Sequence, residues 1–372
     1  MSIDTRTDHP LFSICIPCYN HGKFVGLTIQ SVLSQSCGDF EIVVADNAST
    51  DNSREVVRSF KDPRIRLIEN RYNIGFAPNL QQVTRHARGR FINLLSSDDL
   101  MKPGALAAFA AAILGNEKDQ DRIVLFSDTE RIDANGNVIG LTRFNRSSML
   151  IEWLDGNCVS PPPQNGPEDF CRPYQGWDIL RSAVAHLRSC TPFLTLVYPR
   201  TLWEAVEGYN GIRTLGPDKH FAYKLFGLNP TVLHLKASLY QYRFYWSANQ
   251  QAVMSSPKQP IDDYFTVCEL SDKTLQDLGL RREDIIREYL DRGCFRSGFQ
   301  ALASADYQVA LSRLAMAIAT FPSQSFRRPR FYGLAGMLAL GPLGRAAVKV
   351  LRHLSRESAT RSATGELGLP RP

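Results

Sequence analysis

Phe91-Ile92-Asn93-Leu94-Leu95-Ser96-Ser97-Asp98-Asp99 decides the fold class: a short apolar run closed at its C-terminal end by two serines and two carboxylates. The same design occurs twice upstream. Phe12 to Ile16 gives way to Pro17-Cys18-Tyr19-Asn20, and Glu41 to Ala45 carries Ile42, Val43 and Val44 ahead of Asp46-Asn47-Ala48-Ser49-Thr50-Asp51. Apolar runs of this length suit strands covered on both faces. Between them Val25, Ile29, Val32 and Leu33 recur at helical spacing. Asn52 and Glu55 have the spacing of a helix N-cap pair before Val56, Val57 and Phe60, and Asn79 precedes a helix with Leu80, Val83 and Ala87 on one side. Ile65 and Leu67 alternate with arginines, as in a half-exposed strand. Pro103 opens an Ala-rich helix, Ile123 to Phe126 is a further strand, and Asn135-Gly136 is a hairpin turn. This alternation predicts an α/β fold with a mostly parallel sheet flanked by helices.

In such a sheet ligands gather at the C-terminal ends of the strands. The three polar clusters are therefore expected around one crevice. Adjacent aspartates after a buried strand suit a divalent ion that keeps some water and bridges phosphate oxygens, because Mg²⁺ and Mn²⁺ take one or two carboxylates plus ligand oxygens. Asp98 and Asp99 would equally serve as caps for the helix after Pro103. Asp46 has two readings as well, an acceptor for a base or ribose and an Asx-turn.

The order loosens downstream. Residues 143–177 contain Pro161-Pro162-Pro163 with much Asn and Gly and are expected to form a long surface loop. Residues 262–320 are expected to form consecutive amphipathic helices, one burying Ile285, Ile286, Tyr289 and Leu290 and another Leu311, Leu314 and Ile318. Expected divisions are 1–142, 143–250, a helical extension over 251–325 and a basic tail over 326–372. The net charge of +6 belongs to that tail: Arg327 to Arg356 holds six arginines and one lysine and no carboxylate. The remainder is near neutral, which argues against a nucleic-acid surface. No GxGxxG follows the first strand, against a dinucleotide dehydrogenase. Cys15 and Cys18 form a CxxC without a second pair, so they are expected in core and loop rather than on zinc. The eight scattered cysteines and the polar opening of the chain fit a reduced, cytoplasmic compartment.

Together these residues resemble family-two glycosyltransferases, whose fold is called GT-A. Phe12 to Asn20 is similar to that family's opening strand, and Glu41 to Asp51 to its second strand and base-binding aspartate. Asn73-Ile74-Gly75-Phe76, Ala87-Arg88-Gly89-Arg90-Phe91-Ile92 and Ser96-Ser97-Asp98-Asp99 follow in the family's order. The resemblance is dense over residues 12–104. It implies a nucleoside-diphosphate sugar donor held by Pro17, Tyr19, Asn20, Asp46, Asn73, Gly75 and Asp98. It also implies a Mn²⁺ or Mg²⁺ ion on Asp98 and Asp99 and an acceptor that is a glycan or a lipid-linked saccharide. Many members carry a third aspartate where Ser96 stands, which leaves open which carboxylate touches the metal. Farther on, Gly208-Tyr209-Asn210 and Gly216 to Leu225 resemble the segment that supplies the catalytic base, and Asp218 is its one carboxylate. The alternative for Asp218 is a helix cap. Tyr242-Arg243 resembles a family ending that usually has a nearby His, and Arg243 is assigned a minor phosphate or loop role. The implied reaction is an inverting sugar transfer. The competing reading is a nucleotide-sugar-binding scaffold without turnover.

The tail carries a separate expectation. Phe331 to Gly344 is an uncharged stretch of 14 residues, too short to span the hydrocarbon core and broken by Pro342. After it Leu343, Ala347, Val350, Leu351 and Leu354 fall on one helical side and Arg345, Lys349, Arg352 and Arg356 on the other. That pattern predicts peripheral attachment at the inner face of the cell membrane. Packing of the apolar side on the catalytic body or on a second copy, as a homo-oligomer, is the other reading.

Overall fold

The computed structural model describes residues 9–145, 147–155, 173–209, 216–245 and 258–350, without the side chains of 117, 118, 258–261, 266 and 267. The Pro161-Pro162-Pro163 segment, Asn210, and Leu351, Arg352, Leu354 and Arg356 lie outside the described residues. The chain divides into two compact units, Met1–Trp246 and Ser247–Pro372.

The first unit opens with β1 (Phe12–Cys18), α1 (Val25–Leu33), β2 (Phe40–Asp46), α2 (Ser53–Ser59), β3 (Ile65–Glu69), α3 (Phe76–Arg85) and β4 (Phe91–Leu94). The strands lie parallel in the order β3-β2-β1-β4. β1 and β2 are buried at every position, as their apolar runs require, whereas β3 is only partly covered. Val25, Ile29 and Val32 bury one side of α1 in the sheet core. Cys15 and Cys18 are buried free thiols in β1.

The chain continues through β5 (Leu100–Met101), α4 (Ala105–Leu114), β6 (Ile123–Ile132), β7 (Val138–Asn145), β8 (Leu150–Asp155), β9 (Tyr174–Gln175), α5 (Gly176–Ala185), β10 (Val197–Pro199), α6 (Arg200–Ala205), α7 (Pro217–Gly227) and β11 (Thr231–Arg243). The main path of the sheet runs β3-β2-β1-β4-β10-β6-β11-β5, with β7 paired to β6, β8 to β7 and β9 to β11. β10 enters antiparallel between β4 and β6. Buried Asn93 fastens its approach by donating Nδ2 to the carbonyls of Leu194 and Leu196 at 2.9 and 3.0 Å.

Several local expectations shift. The hairpin at Asn135-Gly136 forms, with Gly136 at φ 93°. The expected loop over 143–177 instead begins with the end of β7 and contains β8, paired antiparallel along β7. α2 is capped by Asp51, whose carboxylate accepts from the Ser53 N–H at 3.0 Å, and the Asn52 side chain makes no cap bond. α3 begins at Phe76 after Gly75, so Asn79 lies inside it and donates to the Ala45 carbonyl at 3.1 Å.

The second unit is helical: α8 (Lys258–Glu269), α9 (Asp272–Asp277), α10 (Arg282–Glu288), a π-helical segment Tyr289–Arg296, α11 (Ser297–Ala303), α12 (Tyr307–Thr320), α13 (Pro322–Phe326) and α14 (Pro329–Ala339). Residues 342–350 are also helical. Ile285, Ile286, Tyr289 and Leu290 are buried as expected. α12 differs: Leu311 and Ile318 are exposed, and the buried side is Ala310, Arg313, Leu314 and Ala317. Arg313 is tolerated there because its Nε donates to Ser297 Oγ at 3.1 Å. A long aliphatic stem can lie along apolar surface while its head group reaches a polar partner.

Candidate active site

β1 sets the geometry because its C-terminal end lies between those of β2 and β4. Cys18 is in register with Asp46, the Asn47 N–H donates to the Cys18 carbonyl at 2.8 Å, and the Leu95 N–H donates to the Cys15 carbonyl at 2.9 Å. The loop after β1 then ties both neighbouring loops together. Asn20, at φ 55°, accepts on Oδ1 from the Thr50 N–H at 2.8 Å, and its own N–H donates to Ser49 Oγ at 3.0 Å. One residue on, His21 Nδ1 lies 2.7 Å from Ser97 Oγ in the loop after β4.

Asp46 is only 1% exposed. Its Oδ2 accepts from the Ser49 N–H at 3.0 Å and lies 3.4 Å from Arg54 Nε. The Asx-turn is therefore real, and it uses one oxygen. Oδ1 is buried with no partner. An orphaned buried acceptor costs about 1–3 kcal/mol, which a ligand N–H would relieve. Asn47 braces the neighbouring loop: its Nδ2 donates to Asn73 Oδ1 at 3.0 Å and to the Gly75 carbonyl at 3.1 Å, and its Oδ1 accepts from the Ile74 N–H at 2.9 Å. Asn73 Oδ1 in turn accepts from the Gly75 N–H at 2.8 Å. Gly75 turns the chain at φ 92°. Pro17 is buried within β1, and Tyr19 stands 40% exposed beyond its end.

The two aspartates after β4 are not equivalent. Asp99 is buried and its Oδ1 accepts from the Arg243 N–H at 2.7 Å, while Oδ2 has no partner. Burial, and then the charge of Asp98, hold its carboxyl well above the usual carboxylate range. Asp98 is half-buried, and its Oδ2 accepts from the Tyr245 hydroxyl at 3.2 Å. That hydroxyl also lies 3.5 Å from His21 Nε2. Neither carboxylate caps α4, whose N-cap position is Gly104 at φ 81°. Arg243 is buried and acts on the loops: Nε donates to the Asp98 carbonyl at 2.8 Å and Nη1 to the Asp133 carbonyl at 3.0 Å, and its guanidinium sits 4.8 Å from the Phe24 ring centre. Two carboxylates, one with an unspent oxygen, suit a hard divalent ion that takes its other ligands from water and phosphate. No group of three His, Cys, Asp or Glu gathers into a full cage among the described residues.

Asp218 lies in the first turn of α7, beside a small hollow that it shares with Ser189, Thr191, Phe193 and Leu196. Its relation to the aspartates after β4 is read from Tyr242. Burial pushes that phenol upward, and Asp99, Asp98 and Asp218 all push it further. The three carboxylates thus act on one hydroxyl. Ser97 was singled out from the sequence as a member of the cluster after β4, whereas His21 and Tyr245 were not. A lone histidine after a strand and a tyrosine near a domain boundary carry no local signal, and only the meeting of β1, β4 and β11 reveals them.

The fold is of GT-A architecture, a mostly parallel sheet flanked by helices with its polar clusters at the strand ends. Residues 13–154, a little over a third of the chain, match the family model described as Glycosyl transferase family 2. It is 38% identical over 109 residues to the Escherichia coli UDP-Glc:alpha-D-GlcNAc-diphosphoundecaprenol beta-1,3-glucosyltransferase WfgD, covering 29% of this chain and 43% of that one. It is 31% identical over 132 residues to the Escherichia coli chondroitin synthase, covering 35% of this chain and 19% of that one. The match spans less than half the length of either relative. Among solved structures, S. aureus TarS 1-349 in complex with UDP-GlcNAc superposes with a TM-score of 0.57 at 16% identity, covering 92% of this chain and 91% of that one. At that identity the likeness is one of fold.

Proposed function

We propose that this chain transfers a sugar from a uridine diphosphate donor to an acceptor hydroxyl, with inversion at the anomeric carbon. The observation that carries this reading is the loop after β1, which ties the Asp46 loop on one side to the Asp98-Asp99 loop on the other. One extended ligand can therefore touch both. The unspent Oδ1 of Asp46 accepts a ring N–H, which uracil has at N3. Tyr19 lies against the base, Pro17 forms the floor beneath it, and Asn20, Asn73 and Gly75 hold the loops that frame it. A uridine donor also agrees with the UDP-Glc donor in the name of the Escherichia coli glucosyltransferase.

Asp98, half-buried and facing Tyr245, is the carboxylate for a divalent metal and the donor diphosphate. Asp99 supports it from below through the Arg243 N–H. A Mn²⁺ or Mg²⁺ ion held there would supply positive charge to offset the negative charge growing on the departing diphosphate. In the reaction the acceptor oxygen forms a bond to the anomeric carbon as the bond from that carbon to the diphosphate oxygen breaks. The diphosphate leaves with the electron pair, and Asp218 takes the hydroxyl proton. A base in this role contributes roughly 10²–10⁴ in rate. Because that relative acts on a sugar carried by diphosphoundecaprenol, a lipid-linked saccharide at the cytoplasmic membrane face is the acceptor class we favour.

The test is a panel of UDP-sugars with Mn²⁺, read as release of UDP and glycosylated product. Asp218→Asn is expected to keep donor affinity and to lower kcat about a hundredfold or more, since it removes an interaction made in the transition state. Transfer by Asp218→Asn at the parent rate would overturn the base assignment. Donor binding by the parent without any turnover would favour the scaffold reading.

A further inference from the structure

We propose that α14 and the helical residues 342–350 form a docking face for an anionic bilayer surface. The argument starts from which sides of these helices are already used. α14 buries Phe331 and Leu334 within its own unit, and Tyr332, Gly336, Ala339 and Leu340 share the opposite side and are exposed, Leu340 at 58%. The chain turns at Gly341, φ 55°, before the next helix begins. A side chain at Gly344 would meet the Met337 carbonyl oxygen at 1.9 Å, so the two backbones touch there. Val348 is buried in the cluster that holds Leu302 and Ala310.

Gly344 and Val348 are the inward positions of this second helix. Leu343, 74% exposed, and Val350 therefore face outward. The apolar side seen in the sequence is not the side that packs. No residue from Phe331 to Gly344 is charged, so beyond Arg330 the outward face of α14 is uncharged. A helix facing water puts charged and polar residues on that side, and contiguous exposed apolar surface marks an interaction site.

Charge identifies the occupant. Arg327 and Arg330 stand before the apolar face and Arg345 and Lys349 after it, with no carboxylate anywhere from 327 to 350. Asp291 is shared by Arg328 at 3.7 Å and Arg330 at 3.2 Å, and among the described residues no ion pair involves Arg327, Arg345 or Lys349. An apolar face bordered by cations fits an interface of acyl chains beneath anionic headgroups. The helices lie on such a surface, since none among the described residues is long and apolar enough to cross a membrane.

The experiment is sedimentation of the full chain with vesicles of phosphatidylcholine alone and of phosphatidylcholine mixed with phosphatidylglycerol. Binding to the mixed vesicles, weakened by salt, is expected. Arg327→Gln with Lys349→Gln should lower the partition coefficient about tenfold or more, given about 1 kcal/mol per cation and 1.4 kcal/mol per decade. Leu340→Gln with Leu343→Gln should lower it similarly, with thermal unfolding unchanged because both side chains are exposed. Failure to sediment with phosphatidylglycerol vesicles at low salt would overturn the proposal, as would undiminished binding by both double variants. Self-association that the leucine variants abolish, without vesicle binding, would identify the face as a contact between copies. None of these readouts depends on sugar transfer.

Discussion

At Asp46 the two oxygens of one carboxylate have different fates, one closing an Asx-turn and one left unspent in a buried crevice. Asp99 divides in the same way between the Arg243 N–H and an open oxygen. Its carboxyl is held above the usual range by burial and by Asp98, so the folded chain binds that proton more tightly than the unfolded chain. Parent stability is consequently expected to fall as pH rises from about 4, the ordinary aspartate value, toward the raised native value. Asp99→Asn keeps an acceptor for Arg243 and carries no charge. Its Tm relative to the parent should therefore climb across that window, measured by calorimetry at a series of pH values. A Tm difference that stayed flat with pH would show that Asp99 ionises without penalty. The aspartates themselves were visible in the sequence, because each closes an apolar run. The inequality of Asp98 and Asp99 was not, since it depends on β11 delivering Arg243 to one of them.

At the scale of elements, β1, β2, β4 and α1 follow directly from periodicity, because each buries a continuous run or a single stripe. β8 and β10 do not. β8 pairs with β7 and with no other strand among the described residues, within a stretch whose overall composition is that of a loop, and β10 is three residues long and gains its place from its neighbours. The turn Ala87-Arg88-Gly89 shows how a short motif acquires its physical reason. A side chain at Gly89 would stand 2.6 Å from the Phe12 carbonyl carbon and the Ser13 nitrogen. The Gly89 N–H donates to Ser13 Oγ at 2.7 Å, which donates to buried Glu41 at 2.6 Å, and Glu41 also accepts from the Arg88 N–H at 2.6 Å. Gly89→Ala must push β4 away from β1, and about 1–3 kcal/mol of destabilisation is expected by denaturant titration. Parent-like stability would mean that the strand ends adjust freely, contrary to the packing of β1.

For the whole molecule, ligand linkage is the direct measure. On the proposed function, a nucleoside diphosphate bridging the Asp46 and Asp98 loops would bind only the folded chain. UDP at about a hundred times its Kd should add about 2.7 kcal/mol of stability. Mn²⁺ should increase the thermal shift, and Asp98→Asn should remove that increment while keeping the part due to the nucleoside. An equal Mn²⁺ increment in both proteins would place the metal elsewhere. The tail belongs to this scale too. Phe331, Leu334 and Val348 are buried parts of the second unit, so removing residues 326–372 would expose its core, and point substitutions on the outer face are the cleaner test.

The sequence by itself determined the α/β class, the three strand-end clusters and the carboxylates they carry, because apolar periodicity and strand termination are local properties of the chain. Tertiary structure alone decided which oxygen of Asp46 is spent, that Asp98 rather than Asp99 is half-exposed, and that His21, Ser97 and Tyr245 meet beside it. It also decided that Leu343 and Val350 face outward while Val348 packs. Those outcomes depend on contacts between residues far apart in the chain, and burial and hydrogen-bond partners exist only once such segments are brought together.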